Sequence, residues 1–168
     1  MEKYSRIKAL ISLDAIRYNF EQMKKNIKEG TKIIAVIKAD AYGHGAVPIA
    51  RMLEEFDYIW GFAAATAQEA LQLRKAGITR PILILGLVFE EYYKKLAEND
   101  VRMAVCDYET ARKFNKAAEE AGKKGLIHLA ADTGMTRIGF KDSEESLEEI
   151  RRIAALPNVE IEGLFTHF

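Results

Sequence analysis

The sequence is poor in the residues that mark secreted, metal-binding or membrane proteins. Cys106 is its single cysteine among 168 residues, so an internal disulfide is excluded and a reducing compartment is expected. The three histidines, His44, His128 and His167, lack any close ligand spacing, and we therefore predict no metal site. Neither a signal peptide nor a run of about 18 apolar residues is visible, which favours a soluble cytoplasmic protein.

The chain also lacks an excess of charge of either sign. Its 25 basic and 25 acidic side chains give a formal net charge of zero, and the two signs are interspersed. A neutral chain gives no electrostatic reason to expect a nucleic acid or an anionic membrane as partner. Because 49% of the residues are hydrophobic, the chain suits one domain with a real core, or a piece of a larger domain.

What the sequence does contain is a regular alternation of apolar runs and amphipathic stretches. The runs are nearly continuous in apolar residues, as strands buried on both faces are. We predict six strands, over 32–38, 58–65, 81–86, 101–106, 126–132 and 159–166. The amphipathic stretches predict helices over 66–76, 107–121 and 142–155, and a further helix at about 14–28 follows an apolar segment at 7–13.

Repeated βα units imply an α/β fold with a parallel sheet and right-handed crossovers. Two architectures compete, an open doubly wound sheet and a (β/α)8 barrel of the TIM type. No G-x-G-x-x-G fingerprint follows the first strand, so the barrel is favoured. Six units are too few to close a barrel, and the chain stops at Phe168 directly after the sixth run. We therefore expect residues 1–168 to be the N-terminal part of a (β/α)8 barrel domain, and to form an incomplete barrel of about six βα units.

Lys38 is the first candidate site residue. It closes the first apolar run, in the stretch VIKADAYGHG, and would lie on the face where such barrels keep their chemistry. Desolvation there disfavours an ammonium and makes the neutral amine more available, which suits a Schiff base to an aldehyde cofactor. The alternative is a lysine that reaches solvent at the strand mouth and has no chemical role.

Small residues follow the lysine in AYGHGA. Gly43 and Gly45 allow unusual dihedral angles where a helix can begin, and a helix N-terminus there would favour an anion such as phosphate. Tyr42 would donate a hydrogen bond to the same anion. The alternative is a simple loop that contains an ordinary half-buried tyrosine.

Two more candidates follow the fifth and sixth runs. Arg137 lies in DTGMTRIGF, where an arginine can hold a carboxylate or a phenolate oxygen, or can instead pair structurally with Asp132. His167 lies in FTHF at the end of the sixth run. A lone histidine is more often a core residue than a catalyst, but Lys38 and Arg137 on the same rim make it a candidate.

The stretches AVIKADAYGHGA, DTGMTRIGF and GLFTHF, in this order, resemble the alanine racemase family, and so does the opening ISLDAIRYNFEQMKK. The resemblance implies pyridoxal phosphate (PLP) as cofactor, and a PLP-binding barrel followed by a mostly β domain in a head-to-tail homodimer. It also implies that the parent protein racemises alanine and so supplies D-alanine for peptidoglycan. A related racemase of serine or of broad specificity, and a non-catalytic PLP-binding barrel, stay open as alternatives.

The resemblance also implies a role for each candidate residue. Lys38 matches the lysine that binds PLP covalently and exchanges a proton with the D-alanine face, and Tyr42 matches a tyrosine on the cofactor phosphate. Arg137 matches the arginine on the phenolic oxygen, near the substrate carboxylate. His167 matches the histidine against the pyridine ring. The family's second base is a tyrosine from the partner's C-terminal domain, which this sequence does not contain.

One residue departs from the family pattern. Many members have a lysine, often carbamylated, where this sequence has Ala130. That lysine helps to position the neighbouring arginine, so Arg137 has to be oriented by something else. Because the second base and much of the phosphate site are also absent from these 168 residues, we expect them to be inactive alone.

Overall fold

The computed structural model describes residues 7–168, in which strands and helices alternate. The strands are β1 (Ile33–Val36), β2 (Ile59–Ala64), β3 (Ile82–Ile84), β4 (Val101–Val105), β5 (Gly125–Ala131) and β6 (Val159–Thr166). The helical segments are α1 (Leu13–Lys25), α2 (Lys38–Gly43), α3 (Ala46–Leu53), α4 (Ala67–Lys75), α5 (Tyr93–Glu98), α6 (Tyr108–Glu120) and α7 (Glu144–Ala154). A 3-10 turn, Glu90–Tyr92, precedes α5.

The strands form one parallel six-stranded sheet in the order β1-β2-β3-β4-β5-β6. Each strand pairs with the next one along the chain, so that Ala63 of β2 lies opposite Leu83 of β3, and Ala104 of β4 opposite His128 of β5. A doubly wound sheet reverses its strand order at a switch point, and this sheet does not. The prediction of an incomplete (β/α)8-type barrel with six βα units is therefore confirmed.

Side-chain caps explain where four of the helices begin. The caps are Ser12 before α1, Thr66 before α4, Asp107 before α6 and Ser143 before α7. Each side-chain oxygen accepts a hydrogen bond from the backbone N–H three residues further on. This contact satisfies one of the N–H groups that the first turn of a helix leaves without a partner.

Some predicted boundaries shift in the structure. The strand predicted over 32–38 is shorter, because Ile37 already has φ −121° and ψ 26°, outside the extended region. Lys38 therefore lies two residues beyond β1, at the start of α2. The strand predicted over 81–86 begins only after Pro81, which has no N–H to donate to the sheet.

The main core lies between the sheet and its helices. Strands and helices both contribute side chains that are completely or almost completely buried: Phe62, Ile82, Met103 and Ile127 from the strands, and Leu53, Leu73, Leu96 and Phe114 from the helices. Because side chains alternate along a strand, Arg102 and His128, each adjacent in sequence to one of these core residues, face the opposite side, the interior of the partial barrel.

Arg80 fixes the loops at the amino ends of the strands, opposite the candidate site. Its guanidinium donates to the carbonyl oxygen of Glu54 at 2.9 and 3.2 Å, to that of Phe56 at 2.8 Å and to that of Ile59. In return, Glu54 Oε1 accepts from the N–H groups of Thr79 at 2.7 Å and Arg80 at 3.0 Å. This reciprocal set joins the segment between α3 and β2 to the start of β3.

Replacement of Arg80 is expected to destabilise the protein. Arg80→Ala leaves carbonyl groups of the α3–β2 segment without their donor, and we expect the free energy of unfolding to fall by about 2–4 kcal/mol. The control is Arg112→Ala, because Arg112 pairs with Glu109 on the exposed face of α6, where an ion pair contributes little to stability. Urea unfolding followed by circular dichroism measures both variants, and equal midpoints would contradict the role of Arg80.

Candidate active site

An open cleft lies at the carboxyl ends of the strands. It has a volume of about 500 Å³ and is lined by Lys38, Ala65, Leu85, Gly86, Leu87, Arg137 and Ile138. The segments that follow β1, β2, β3 and β5 supply these residues. The volume is typical of a site for a small molecule, and the location is the one that active sites take in barrels of this type.

Lys38 stands at the start of a left-handed turn. Residues 39–42 have φ angles between 50° and 55° and ψ angles between 38° and 48°, the values of a left-handed helix. None of these residues is glycine, and each costs about 1–2 kcal/mol in this conformation. The glycines that follow, Gly43 and Gly45, also have positive φ angles, of 84° and 92°. The turn therefore stores strain that its surroundings have to offset.

Backbone hydrogen bonds attach this turn to the sheet. The N–H of Ile37 donates to the carbonyl of Ala63 at 2.9 Å, which extends the pairing of β1 with β2 by one residue. The N–H of Ala41 then donates to the carbonyl of Ile37, also at 2.9 Å. Lys38 is consequently held between the last sheet contact and the first contact of the turn.

A helix does begin where the glycines predicted one, since α3 starts at Ala46 after Gly45. The N–H of Ala46, however, donates to the carboxylate Oδ1 of Asp40 at 2.7 Å. A carboxylate of the preceding turn thus already occupies the helix N-terminus, where a negative charge is favoured. This geometry gives no support to a phosphate at that position, and the contact of Tyr42 with a phosphate stays a prediction.

Tyr42 lies beside the lysine. The Nζ atom of Lys38 is 6.0 Å from the centre of the Tyr42 ring, within the range of a cation–π contact. Lys38 is half-buried, whereas Tyr42 is 61% exposed. The tyrosine side chain is therefore largely open to solvent beside Lys38.

Arg137 borders the cleft opposite Lys38 and also lines a small adjoining hollow that it shares with His167. Within residues 7–168 no ion pair joins Arg137 to Asp132, so the structural pairing considered from the sequence is not observed. The carboxylate of Asp132 instead accepts from the N–H groups of Gly134 at 3.1 Å and Thr136 at 2.9 Å. The guanidinium is exposed and stays available for an anionic ligand.

His167 is exposed at the end of β6, and its Nδ1 atom lies 2.7 Å from the carbonyl oxygen of Phe168. The structure places all four predicted site residues along one rim. Tyr42 lies beside Lys38, Arg137 shares the cleft with Lys38, and His167 shares the smaller hollow with Arg137. The expectation that these side chains lie on one rim, at the carboxyl ends of the strands, agrees with their positions, and their chemical roles stay predictions.

A charged cluster in the interior of the partial barrel was missed by the sequence analysis. Arg102 of β4 donates to both carboxylate oxygens of Glu162 of β6, at 2.9 and 2.8 Å. The Nε2 atom of His128 lies 3.0 Å from the same carboxylate, and the guanidinium of Arg102 lies 5.7 Å from the Trp60 ring centre. The sequence does contain a signal for this cluster, because Arg102 in VRMAVC and His128 in LIHLAAD are polar side chains inside otherwise apolar runs.

This cluster keeps Glu162 ionised. The hydrogen bond from Arg102 lowers the pKa of the Glu162 carboxyl below its usual 4.5, burial opposes this effect, and His128 adds to the lowering. Because the pKa is lower in the folded state, the carboxylate stabilises the fold above pH 4.5, and this contribution is lost as the pH falls through the folded-state pKa. The cluster thus joins β4, β5 and β6 at neutral pH.

The His, Cys, Asp and Glu side chains of the described residues, 7–168, form no group of three that could hold a metal ion. No helix in this range is long and apolar enough to cross a membrane.

The fold and the cleft together define an α/β barrel domain with a lysine and an arginine at the carboxyl ends of its strands. The family described as "Alanine racemase, N-terminal domain" matches residues 11–168. The alanine racemase of Methanococcus maripaludis is 43% identical over 160 residues, which are 95% of this chain and 43% of that protein. The chain belongs to the alanine racemase family.

Solved structures agree with this assignment. The alanine racemase of Clostridium difficile 630 in complex with cycloserine is 44% identical, with a TM-score of 0.91 over 94% of this chain and 43% of that one. A histidine racemase from Leuconostoc mesenteroides is 31% identical, with a TM-score of 0.83 over 94% of this chain and 42% of that one. The chain thus spans less than half the length of these relatives.

The loop that carries Arg137 is expected to respond to acid. Hydrogen bonds from the N–H groups of Thr136 and Gly134 lower the pKa of the Asp132 carboxyl below its usual 3.8. These bonds should therefore be intact above pH 3.8 and be lost as the pH falls through the lowered pKa. In an NMR titration the two amide resonances should move together with a midpoint below 3.8, and Asp132→Asn should abolish the titration. A midpoint above that value would contradict the role of Asp132.

Proposed function

We propose that this chain supplies the lysine-bearing part of the active site of a PLP-dependent alanine racemase. The observation that carries the proposal is the position of Lys38, on a strained turn in a cleft that it shares with Arg137, in a chain of the alanine racemase family. A strained, well-anchored backbone at a cleft is typical of a functional site rather than of a surface loop.

The residues of the cleft fit PLP. The amine of Lys38 is the group that an aldehyde requires, and the guanidinium of Arg137 is a permanent cation for a phenolate or a carboxylate. Leu85, Leu87 and Ile138 give the cleft apolar walls against which an aromatic ring can pack. Tyr42 and His167 lie further along the same rim. The hydroxyl of Tyr42 would donate a hydrogen bond to the cofactor phosphate, and the imidazole of His167 would lie against the pyridine ring.

The protein's own side chains would orient the substrate and transfer its proton. When bound, PLP draws electrons from the Cα atom of an amino acid and so acidifies its proton. Lys38 Nζ would hold the cofactor and transfer that proton on one face of the substrate, the D-alanine face. Arg137 would orient the substrate carboxylate. Racemisation needs a second base on the opposite face, and we assign this role to a tyrosine from the partner subunit of a homodimer.

The setting that we propose follows from this activity. A racemase of alanine supplies D-alanine, which bacteria use in peptidoglycan, and the protein would work in the cytoplasm as a homodimer. All the site residues named above except the tyrosine of the partner subunit come from the described part of one protomer. The partner's contribution would complete the cleft on its open side.

Lys38→Ala tests the proposal most directly. We expect PLP to attach covalently to Lys38, and borohydride reduction followed by peptide mapping should locate it there. The variant should lose this attachment. In the parent protein, whose second base completes the site, racemisation should fall by about 10²-fold to 10⁴-fold because a proton-transfer group is missing. The control is Lys32→Ala, which removes an exposed amine at the other end of the same strand and should change neither result.

The outcomes separate the alternatives. Covalent PLP on Lys38 of the parent protein, without racemisation of any amino acid by that protein, would indicate a non-catalytic PLP-binding barrel. Unchanged covalent attachment in Lys38→Ala would show that the lysine assignment is wrong.

A second candidate function is racemisation of another amino acid, either by a serine racemase or by an enzyme of broad specificity. The observation that favours it is the histidine racemase of Leuconostoc mesenteroides, which shares this fold at 31% identity. We expect alanine to be the preferred substrate, because the curated relatives at 40–46% identity are alanine racemases. Rates with alanine, serine and histidine, compared as kcat/KM by chiral chromatography, decide between the two candidates. A preference for histidine or serine would overturn the assignment to alanine.

A further inference from the structure

Glu69, in the first turn of α4, reaches back to two loops of the candidate site. Its Oε1 atom accepts a hydrogen bond from the N–H of Ala39 at 2.9 Å, and its Oε2 atom accepts one from the N–H of Ala65 at 2.8 Å. Ala39 directly follows Lys38, and Ala65 lines the cleft together with Lys38. One carboxylate therefore joins the segment after β1 to the segment after β2.

The start of α4 fixes the position of this carboxylate. Thr66 caps the helix, and its Oγ1 atom accepts the N–H of Glu69 at 3.3 Å. In a capping box the glutamate at this position returns to the N–H of the capping residue itself. Here the side chain extends instead to the N–H one residue earlier, that of Ala65, and across to the turn at Ala39. The first turn of α4 thus binds two loops of the candidate site, in addition to having its own N-terminus capped by Thr66.

The turn has a particular need for such a contact. Ala39 is the first of the four left-handed residues, so its N–H is where the strained segment departs from the sheet. Hydrogen bonds to an ionised carboxylate are roughly twice as strong as those between neutral groups. At the end of the turn, the Nδ1 atom of His44 lies 3.0 Å from the carbonyl oxygen of Ala41 and 3.1 Å from that of Tyr42. At the start of the turn, the contact with Ala39 comes from Glu69. It is therefore well placed to offset part of the strain next to Lys38.

We propose that Glu69 is a positioning residue for Lys38. Its carboxylate fixes the backbone of the lysine against the segment after β2, and so sets where the Nζ atom lies in the cleft. Glu69 itself contacts backbone amides and does not line the cleft. The inference deepens the proposed function and rests on it, since the position of Nζ matters only if Lys38 binds PLP.

The test uses two variants that remove different parts of the interaction. Glu69→Gln keeps the length of the side chain but replaces one acceptor oxygen with an NH2 group, which faces an N–H. Glu69→Asp keeps the charge but is shorter by one methylene and cannot reach both amides. If only the charge of Glu69 matters, Glu69→Asp should attach PLP to Lys38 as the wild type does. If Glu69 positions the lysine, both carboxylate oxygens have to reach their N–H groups, and Glu69→Asp should be impaired.

The control is Glu145→Gln, which removes the same charge from the first turn of α7. Each purified protein is reacted with PLP and, separately, with formaldehyde, and reduction followed by peptide mapping measures the modification of Lys38. We expect both Glu69 variants to attach PLP about tenfold or more weakly, with unchanged reaction of Lys38 with formaldehyde. Glu145→Gln should behave as the wild type. A merely structural role would expose the lysine and alter both reactions.

The failures are distinguishable. If the wild-type protein does not attach PLP to Lys38, the proposed function fails and this inference fails with it. If the wild type attaches PLP and Glu69→Gln matches it, the inference alone is overturned. Circular dichroism of each variant confirms that it is folded before the reactions are compared.

Discussion

The candidate site depends on one constraint, the left-handed turn that carries Lys38. Residues 39–42 adopt a conformation that non-glycine residues avoid, and they do so where the chain leaves a buried parallel strand. The hydrogen bond from Ile37 to Ala63 ties the start of the turn to β2, and Asp40 ties its end to α3. Because both anchors belong to rigid elements, the lysine has few positions open to it.

The rest of the sheet keeps those anchors in register. Arg80 and Glu54 join the loops at the amino ends of β2 and β3, so these two strands cannot slide past each other without breaking several hydrogen bonds. In the interior of the partial barrel, the carboxylate of Glu162 on β6 binds His128 on the adjacent strand β5 and Arg102 on β4, one strand further away. The side chains of Arg102 and Glu162 are 12% and 26% exposed, so separating them would leave partly desolvated charges without a partner.

The sequence was sufficient to predict the fold and the rim, because both follow from local patterns. Apolar runs locate the strands, and the carboxyl ends of parallel strands share an edge, so Lys38 and Arg137 had to lie near each other. The left-handed turn was not predictable, since alanine, aspartate and tyrosine carry no signal for it. Glu69 was also missed, because its partner Ala39 lies 30 positions away and only the packing of α4 on the sheet brings them together.

The motif GLFTHF shows how one short stretch can combine packing and chemistry. A Cβ atom at Gly163 would come within 2.7 Å of the His128 ring, so the glycine makes room for a side chain on the neighbouring strand. That ring is in turn held by Glu162, the residue before the glycine. The first part of the motif therefore supports the interior of the barrel, while His167 lies at the site. A match to such a motif identifies the family, but the structure is needed to separate the residues that pack from those that bind.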